Sequence, residues 1–432
     1  MPEIPTTAME AGNRDGGSLI IEGGRALKGS VTVSGSKNAT MGAMAAALLV
    51  GEDCVLENVP DIGDVPHMAD VLRSLGASVE QTSPHSLCIN AAKLNGFSPP
   101  TELVTNLRAS FLVMGALLAR QGKAACSPPG GDVIGQRPID VHLSGFAALG
   151  AKIGRDGEKF VAEAKGLAGA QVFCDYPSVL GTQNLMLAAA TARGTSTIVN
   201  AAAEPEVQSL AAMLNSMGAR ISGVGTPTVK IEGVPELKGT HHRIIPDRLE
   251  AGTYAIAAAI TRGRVDVQAV QTEHLFSLVA KLREAGVEVE EDGGSLSVRG
   301  TKELKAVTIQ ALPYPGIATD LQAPLSVLLT QAHGVSYVHE RVFDNRLLYV
   351  NELRKMGAEV VTTGTTTAII SGPTPLIGAS VRALDVRAGA ALILAGLAAR
   401  GRTEILDIHH VDRGYERIDQ KLRDLGAHVE RV

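Results

Sequence analysis

The chain has no tryptophan, and seven Phe and six Tyr make aromatics only 3% of its 432 residues. Platforms for stacking single-stranded bases need such rings, which argues against that class. A basic excess is missing too: 40 Lys and Arg face 45 Asp and Glu, for a net charge of −5. No global positive field exists to hold nucleic acid or an anionic membrane. The four cysteines, Cys54, Cys88, Cys126 and Cys174, form no CxxC pair, which points to reduced thiols in a cytoplasmic protein and away from a metal site. The longest nearly apolar stretches, 41–50 and 388–399, fall short of the roughly 18–20 residues a membrane crossing needs. The first 18 residues are a polar tail without the apolar core of a secretory signal. What is present is an ordinary globular composition, 45% hydrophobic and 20% charged, at a length that gives about three domains as a prior.

Self-similarity organises the chain. A Leu-Gly-Ala-like phrase recurs six times, with its glycine at Gly76, Gly150, Gly218, Gly286, Gly357 and Gly426, at intervals of 68 to 74 residues. Each copy predicts a helix, a glycine in the left-handed position that ends it, and a strand. A second phrase runs in step with the first: an Ala/Leu-rich helix, then Gly51, Gly122, Gly194, Gly263, Gly334 or Gly401, then a β-branched strand. The Ala-rich helices are apolar nearly all round and read as buried, whereas the others carry Arg, Lys and Glu and read as a surface layer. Six units divide into two domains of three, with the break near 241–246. Segment 18–34 reads as two short strands around Gly23-Gly24 that close either domain.

The repeat lets equivalent positions be compared within one sequence. Ahead of each buried helix stand Lys37-Asn38, Arg108, Thr182-Gln183, Asp247-Arg248, Thr319-Asp320 and Asp385-Val386-Arg387. Asn38, Thr182 and Asp320 read singly as helix caps. Lys37, Arg108, Arg248 and Arg387 do not, because a cation at a positive helix end is locally unfavourable and implies an anion beside it. If the helices of each domain run the same way, their amino ends share one interdomain cleft suited to phosphate and carboxylate groups. Segment 127–142, with three Pro, three Gly and Asp132, reads as a loop placed to carry chemistry near Arg137 and Asp140. The pairs His241-His242 and His409-His410 read as polar strand-edge residues rather than metal ligands.

Eight motifs in order, SGSKNATMGAMAAALL, NLRASFLVMGALLAR, PPGGDVIGQRPIDVH, PDRLEAGTY, PGIATDLQAP, VFDNR, DVRAGAALILAGL and DRGYERI, resemble the UDP-N-acetylglucosamine enolpyruvyl transferases. The resemblance covers residue 19 to the end. It implies a two-domain inside-out α/β barrel built from six repeated units, three per domain. Residues 39–245 would form the first domain, carrying a mobile loop at 127–138, and 19–38 plus 246–432 the second. It implies transfer of enolpyruvate from phosphoenolpyruvate to the 3′-hydroxyl of UDP-N-acetylglucosamine with loss of phosphate, the first committed step of peptidoglycan precursor synthesis, with no metal or organic cofactor.

By the same resemblance, Lys37, Asn38, Arg137, Arg387 and Arg413 would bind phosphoenolpyruvate. Arg108, Arg137, Pro138, Ile139, Asp140, Val141, Ser178, Val179 and Val342 would hold the nucleotide sugar. Asp320 would accept the proton of the sugar hydroxyl, Asp132 would donate one to the methylene carbon, and Arg346 would balance charge. The chemistry is sound: addition to an enol ether needs a base, an acid and cations for the departing phosphate. Asp132 stands where the family commonly has cysteine, so the alkylating epoxide fosfomycin is expected not to inactivate. Leu180-Gly181 in place of Gly-Ala, and Ala203 in place of Arg, leave open a sister transferase with another acceptor such as UMP; a silent paralogue that only binds nucleotide sugars or a partner protein is a separate rival, against which the retained Lys37, Asp320, Arg387 and Arg413 weigh.

Overall fold

The computed structural model describes residues 17–131, 134–135 and 137–432; the candidate acid Asp132 and residues 1–16 lie outside the described residues. Each repeat builds one small sheet. Five sheets have four strands and one has three. In five of the six sheets the strand after an Ala-rich helix pairs antiparallel with the second strand of a hairpin, as Arg264–Gln268 pairs with Ser295–Arg299. The two amino-terminal strands both join the carboxy-terminal half. Leu19–Glu22 lies between Arg402–Leu406 and His428–Arg431, antiparallel to each, and Lys28–Thr32 runs parallel to Arg264–Gln268.

Six central helices, here α1 (Lys37–Ala46), α2 (Val113–Gln121), α3 (Val179–Ala189), α4 (Arg248–Ile260), α5 (Thr319–Leu329) and α6 (Val386–Ala398), lie inside the sheets. Helices α4, α5 and α6 pack on one another, and α2 packs on α1 and α3. Their Ala, Gly and Leu content allows close approach on every face, and α6 buries its whole length from Val386 to Leu397. The outer helices are amphipathic: Asp64–Ser74 buries Val65, Met68, Val71 and Leu72 and exposes Arg73. Glycines end these helices as the repeat predicts, with φ between +88° and +104° at Gly76, Gly150, Gly218, Gly286, Gly357 and Gly426.

The apolar side chains form two separate cores. One holds Leu19 to Val33 with Leu249 to Val429; the other runs from Ala39 to Ile244. The chain passes between them twice, and the two passages touch where Gly35 bridges Pro246. A Cβ at Gly35 would sit 1.7 Å from the Asn58 carbonyl oxygen, so only glycine fits this crossing.

Two local expectations need correction. The helix caps are Ser36, Ser178, Asp247 and Asp385, whose side chains accept first-turn N–H groups. Asn38 and Thr182 lie inside their helices, and Asp320 lies inside a helix capped by Ala318 without a side-chain bond. His409 and His410 open a short helix, His409–Asp412, with ring centroids 4.2 Å apart, instead of standing at a strand edge. His242 does lie on an edge strand, Thr240–Arg243, where it meets the Ser209 hydroxyl at 3.2 Å. Among the described residues no helix is long and apolar enough to cross a membrane.

Candidate active site

The amino ends of the central helices meet around one cavity of about 520 Å³ between the two cores. Its wall includes Lys37, Asn38, Arg108, Val179, Arg248, Asp320 and Arg387, one or two from each repeat. The outward-pointing N–H groups of a helix's first turn make this a positive environment from the backbone alone.

Of the cations that the sequence places at these helix ends, Lys37, Arg248 and Arg387 have anions beside them, and those anions are the protein's own, whereas Arg108 donates to backbone carbonyls. Asp320 at the start of α5 is held from both sides, Arg346 Nη2 at 2.8 Å and Arg387 Nε at 3.0 Å. Burial works to raise its pKa, but the two guanidiniums outweigh it and hold the carboxyl well below the usual carboxylate range. Arg346 also donates to the Thr319 hydroxyl at 2.8 Å, which donates to buried Glu340 at 2.6 Å. Glu340 in turn accepts the backbone N–H groups of Val342 and Phe343 and so shapes the turn that presents them. Arg387 stacks over Tyr415, and its Nη1 is a buried donor with no acceptor among the described residues.

A second carboxylate organises another group of cations in the same wall. Asp64, with no exposed surface, pairs with Lys37 Nζ at 2.8 Å and Arg413 Nε at 2.9 Å. A third pair, Glu206 with Arg248 at 3.0 and 3.3 Å, joins the two cores directly, beside Glu204, which accepts the Tyr314 N–H at 3.2 Å. Burial raises the pKa of Glu204.

The remaining candidates gather at the other end. Arg108 donates to the backbone carbonyls of Arg137 and Pro138, and burial together with Arg137 pushes its pKa down to about 10. Arg137, Pro138, Ser178, Val179, Leu180 and Val342 line the cavity. Ile139, Asp140 and Val141 stand behind it. Asp140 accepts from the Tyr176 hydroxyl at 3.3 Å, and Val141 is buried against Gly181. His142 is fully buried, and that burial with nearby Arg108 pushes its pKa down to about 3. Asn184 settles its tautomer. The amide oxygen accepts Gly115 N–H at 2.7 Å, so the amide nitrogen donates to His142 Nδ1 at 2.9 Å, leaving Nε2 to carry the proton.

Thus the structure brings Lys37, Asn38, Arg108, Arg137, Pro138, Ser178, Val179, Asp320, Val342, Arg346, Arg387 and Arg413 to one cleft. Asp64, His142, Tyr176, Glu204, Glu206 and Tyr314 belong to the same wall and were not singled out by sequence. Asp64 opens a surface helix, where an acidic residue reads as ordinary dipole complementarity. The only available signal was six-fold comparison of the outer helices, which does not reveal a partner 349 residues away.

The EPSP synthase (3-phosphoshikimate 1-carboxyvinyltransferase) family matches residues 21–422. The chain is 48% identical over 413 residues to UDP-N-acetylglucosamine 1-carboxyvinyltransferase 1 of Caldanaerobacter subterraneus subsp. tengcongensis, covering 96% of this chain and 99% of that one. It is 50% identical over 417 residues to UDP-N-acetylglucosamine 1-carboxyvinyltransferase 2 of Carboxydothermus hydrogenoformans, with the same coverage. Among solved structures, the enolpyruvyl transferase NikO from Streptomyces tendae superposes with a TM-score of 0.87 at 25% identity, over 96% of this chain and 99% of that one. EPSP synthase from Acinetobacter baumannii shares the fold, with a TM-score of 0.74 at 19% identity over 96% of this chain and all of that one. With its six-fold repeat, its inside-out pair of barrels and these relatives over nearly its whole length, the chain belongs to the UDP-N-acetylglucosamine 1-carboxyvinyltransferase family of enolpyruvyl transferases.

Proposed function

We propose that this chain transfers the enolpyruvyl group of phosphoenolpyruvate to the 3′-hydroxyl of UDP-N-acetylglucosamine, releasing inorganic phosphate. The observation that carries this reading is the Asp320 carboxylate set between Arg346 and Arg387 in the same cleft as Lys37 and Arg413. A hydroxyl nucleophile needs a carboxylate beside it, and a substrate with a phosphate and a carboxylate needs several cations.

In this mechanism the sugar oxygen bonds to C2 of phosphoenolpyruvate while C3 gains a proton, which gives a tetrahedral phosphate ketal. Loss of a proton from C3 then expels phosphate and leaves the enol ether. Asp320 takes the hydroxyl proton. Alone with two guanidiniums it is too weak a base; the anionic groups of phosphoenolpyruvate draw on Arg387 and restore its proton affinity. Lys37, Arg137, Arg387 and Arg413 stabilise the phosphate, and the unpartnered Nη1 of Arg387 suits that task. Asn38 completes the phosphoenolpyruvate site. Asp132 donates the proton to C3.

Arg108, Arg137, Pro138, Ser178 and Val179 hold the nucleotide, backed by Ile139, Asp140 and Val141, and Val342 lies against the sugar. No metal or cofactor enters. The four cysteines are unpaired thiols, and the reading sets the reaction in the cytoplasm, at the entry to peptidoglycan precursor synthesis.

The test is phosphate release with both substrates, together with the mass of the product. The reading requires a gain of one enolpyruvyl unit on UDP-N-acetylglucosamine. Transfer to UMP instead would support the sister transferase left open by Leu180-Gly181, and no release with either acceptor would support a silent binding protein.

A further inference from the structure

The wall that carries Lys37 and Arg413 contains a carboxylate that no step above uses. Asp64 is the first residue of the helix Asp64–Ser74 and has no exposed side-chain surface, whereas Lys37 and Arg413 are 13% and 17% exposed. The acid therefore lies behind the two cations, closed to solvent. Its two oxygens are divided between them: Oδ2 to Lys37 and Oδ1 to Arg413. The contact to arginine uses Nε, the inner nitrogen, at 2.9 Å.

Lys37 and Arg413 also come from distant parts of the chain. Lys37 begins α1, with its backbone N–H on the Asp247 carboxylate at 3.1 Å, and Arg413 caps the short helix His409–Asp412. Around Asp64 the backbone is tied to the same segment. Gly63 N–H donates to the Asp412 carbonyl at 2.9 Å, and Asp61 N–H donates to Glu416 at 3.0 Å. Lys37, Arg413 and Asp64 thus form a three-membered unit that exists only when these segments are docked together.

We propose that Asp64 is a positioning residue that sets the Lys37 ammonium and the Arg413 guanidinium at the spacing an incoming phosphate or carboxylate requires, and so makes anion affinity depend on docking of the two cores. The proposal rests on the reading that this cleft binds phosphoenolpyruvate. Flexible cations hold an anion less tightly than cations fixed in advance, because their side-chain freedom is lost on binding. A carboxylate with two salt partners is also expensive to leave half-paired in a buried place, which keeps both cations in their geometry.

A rival role predicts the opposite sign. Were Asp64 only electrostatic ballast, its negative charge would oppose the anion, and removing it would take the unit from a net +1 to +2 and tighten binding. Asp64→Asn and Asp64→Glu separate the two roles. The first keeps shape and loses charge; the second keeps charge and shifts the carboxylate by one methylene. Positioning predicts that both variants bind inorganic phosphate, measured by titration calorimetry, about 10- to 100-fold more weakly than the parent chain. It also predicts a KM for phosphoenolpyruvate raised by a similar factor, with KM for UDP-N-acetylglucosamine within about twofold.

Tighter phosphate binding by Asp64→Asn, or parental binding by Asp64→Glu, would overturn the proposal. A lower kcat with both KM values unchanged would mean a lost folded fraction and overturn it too. If the parent chain binds phosphate but transfers no enolpyruvate, the functional reading fails while the phosphate titrations still decide the role of Asp64. Should Asp64→Asn not fold, Asp64→Glu carries the test alone.

Discussion

Asp64 and Asp320 make the same electrostatic figure, a carboxylate between two cations, and differ in one respect. Asp64 is sealed, while Asp320 keeps 23% of its side-chain surface open to the cleft. Both cations on Asp320 come from the carboxy-terminal half, Arg346 and Arg387, whereas Asp64 gathers Lys37 from the start of α1 and Arg413 from near the end of the chain. An open carboxylate reaches a substrate hydroxyl and exchanges partners when anions arrive. A sealed one does neither and holds its partners still. Identical pairings therefore serve opposite ends, with solvent access making the difference.

The strongest way to break this comparison is Asp320→Asn. It is expected to cut kcat by about 10²–10⁴-fold, the usual contribution of a proton-transferring side chain, with affinity for UDP-N-acetylglucosamine nearly unchanged by calorimetry. Turnover near that of the parent chain would end the distinction, since Asp320 would then be as spectator-like as its sealed counterpart. Asp64 should act on KM and Asp320 on kcat; an exchange of those signatures reverses the comparison.

His142 sharpens the point on the scale of stability. Its pKa falls from the ordinary 6.5 to about 3 in the folded chain, because burial and Arg108 oppose its charged form. The unfolded chain takes up a proton in that interval and the folded chain does not. Stability is therefore lost as pH falls from about 6.5 towards about 3, at about 1.4 kcal/mol per pH unit from this group. Urea unfolding of His142→Gln at pH 7, 6, 5 and 4.5 should show a shallower decline than the parent; coincident slopes would mean that His142 is protonated in the fold. Asp64 and Asp320 act lower on the scale. Both pKa values are depressed, so their contribution is present above the ordinary carboxylate range and disappears only below it.

The smallest expected effect is none at all. Preincubation with excess fosfomycin should leave activity constant over time, because a carboxylate at position 132 is a far poorer nucleophile than a thiolate. Time-dependent loss would show that a different group takes the epoxide.

Much of this architecture could be read along the chain. The six helix-ending glycines and the alternation of Ala-rich with charged helices foretold units, layers and the cleft, because backbone conformation at glycine and burial of apolar faces are local matters. Lys37, Arg248 and Arg387 also betrayed themselves by defying helix-end preference. Two of the anions beside them did not: Asp64 and Glu206 sit in first turns where acids are common, and their arginine partners, Arg413 and Arg248, lie 349 and 42 residues away. Caps went astray for a related reason. Asn38, Thr182 and Asp320 are good capping types two to four residues past the true caps, and which polar residue stops at the boundary depends on the turn before it.

The order of amino acids by itself determined the repeat, the two cores and the choice of guanidiniums and carboxylates that this cleft contains. Only tertiary structure decided which carboxylate faces solvent and which is enclosed, because exposure depends on how segments hundreds of residues apart are packed. The strength and role of each ion pair follow from that packing, since a charge is weakened by water and held fast without it.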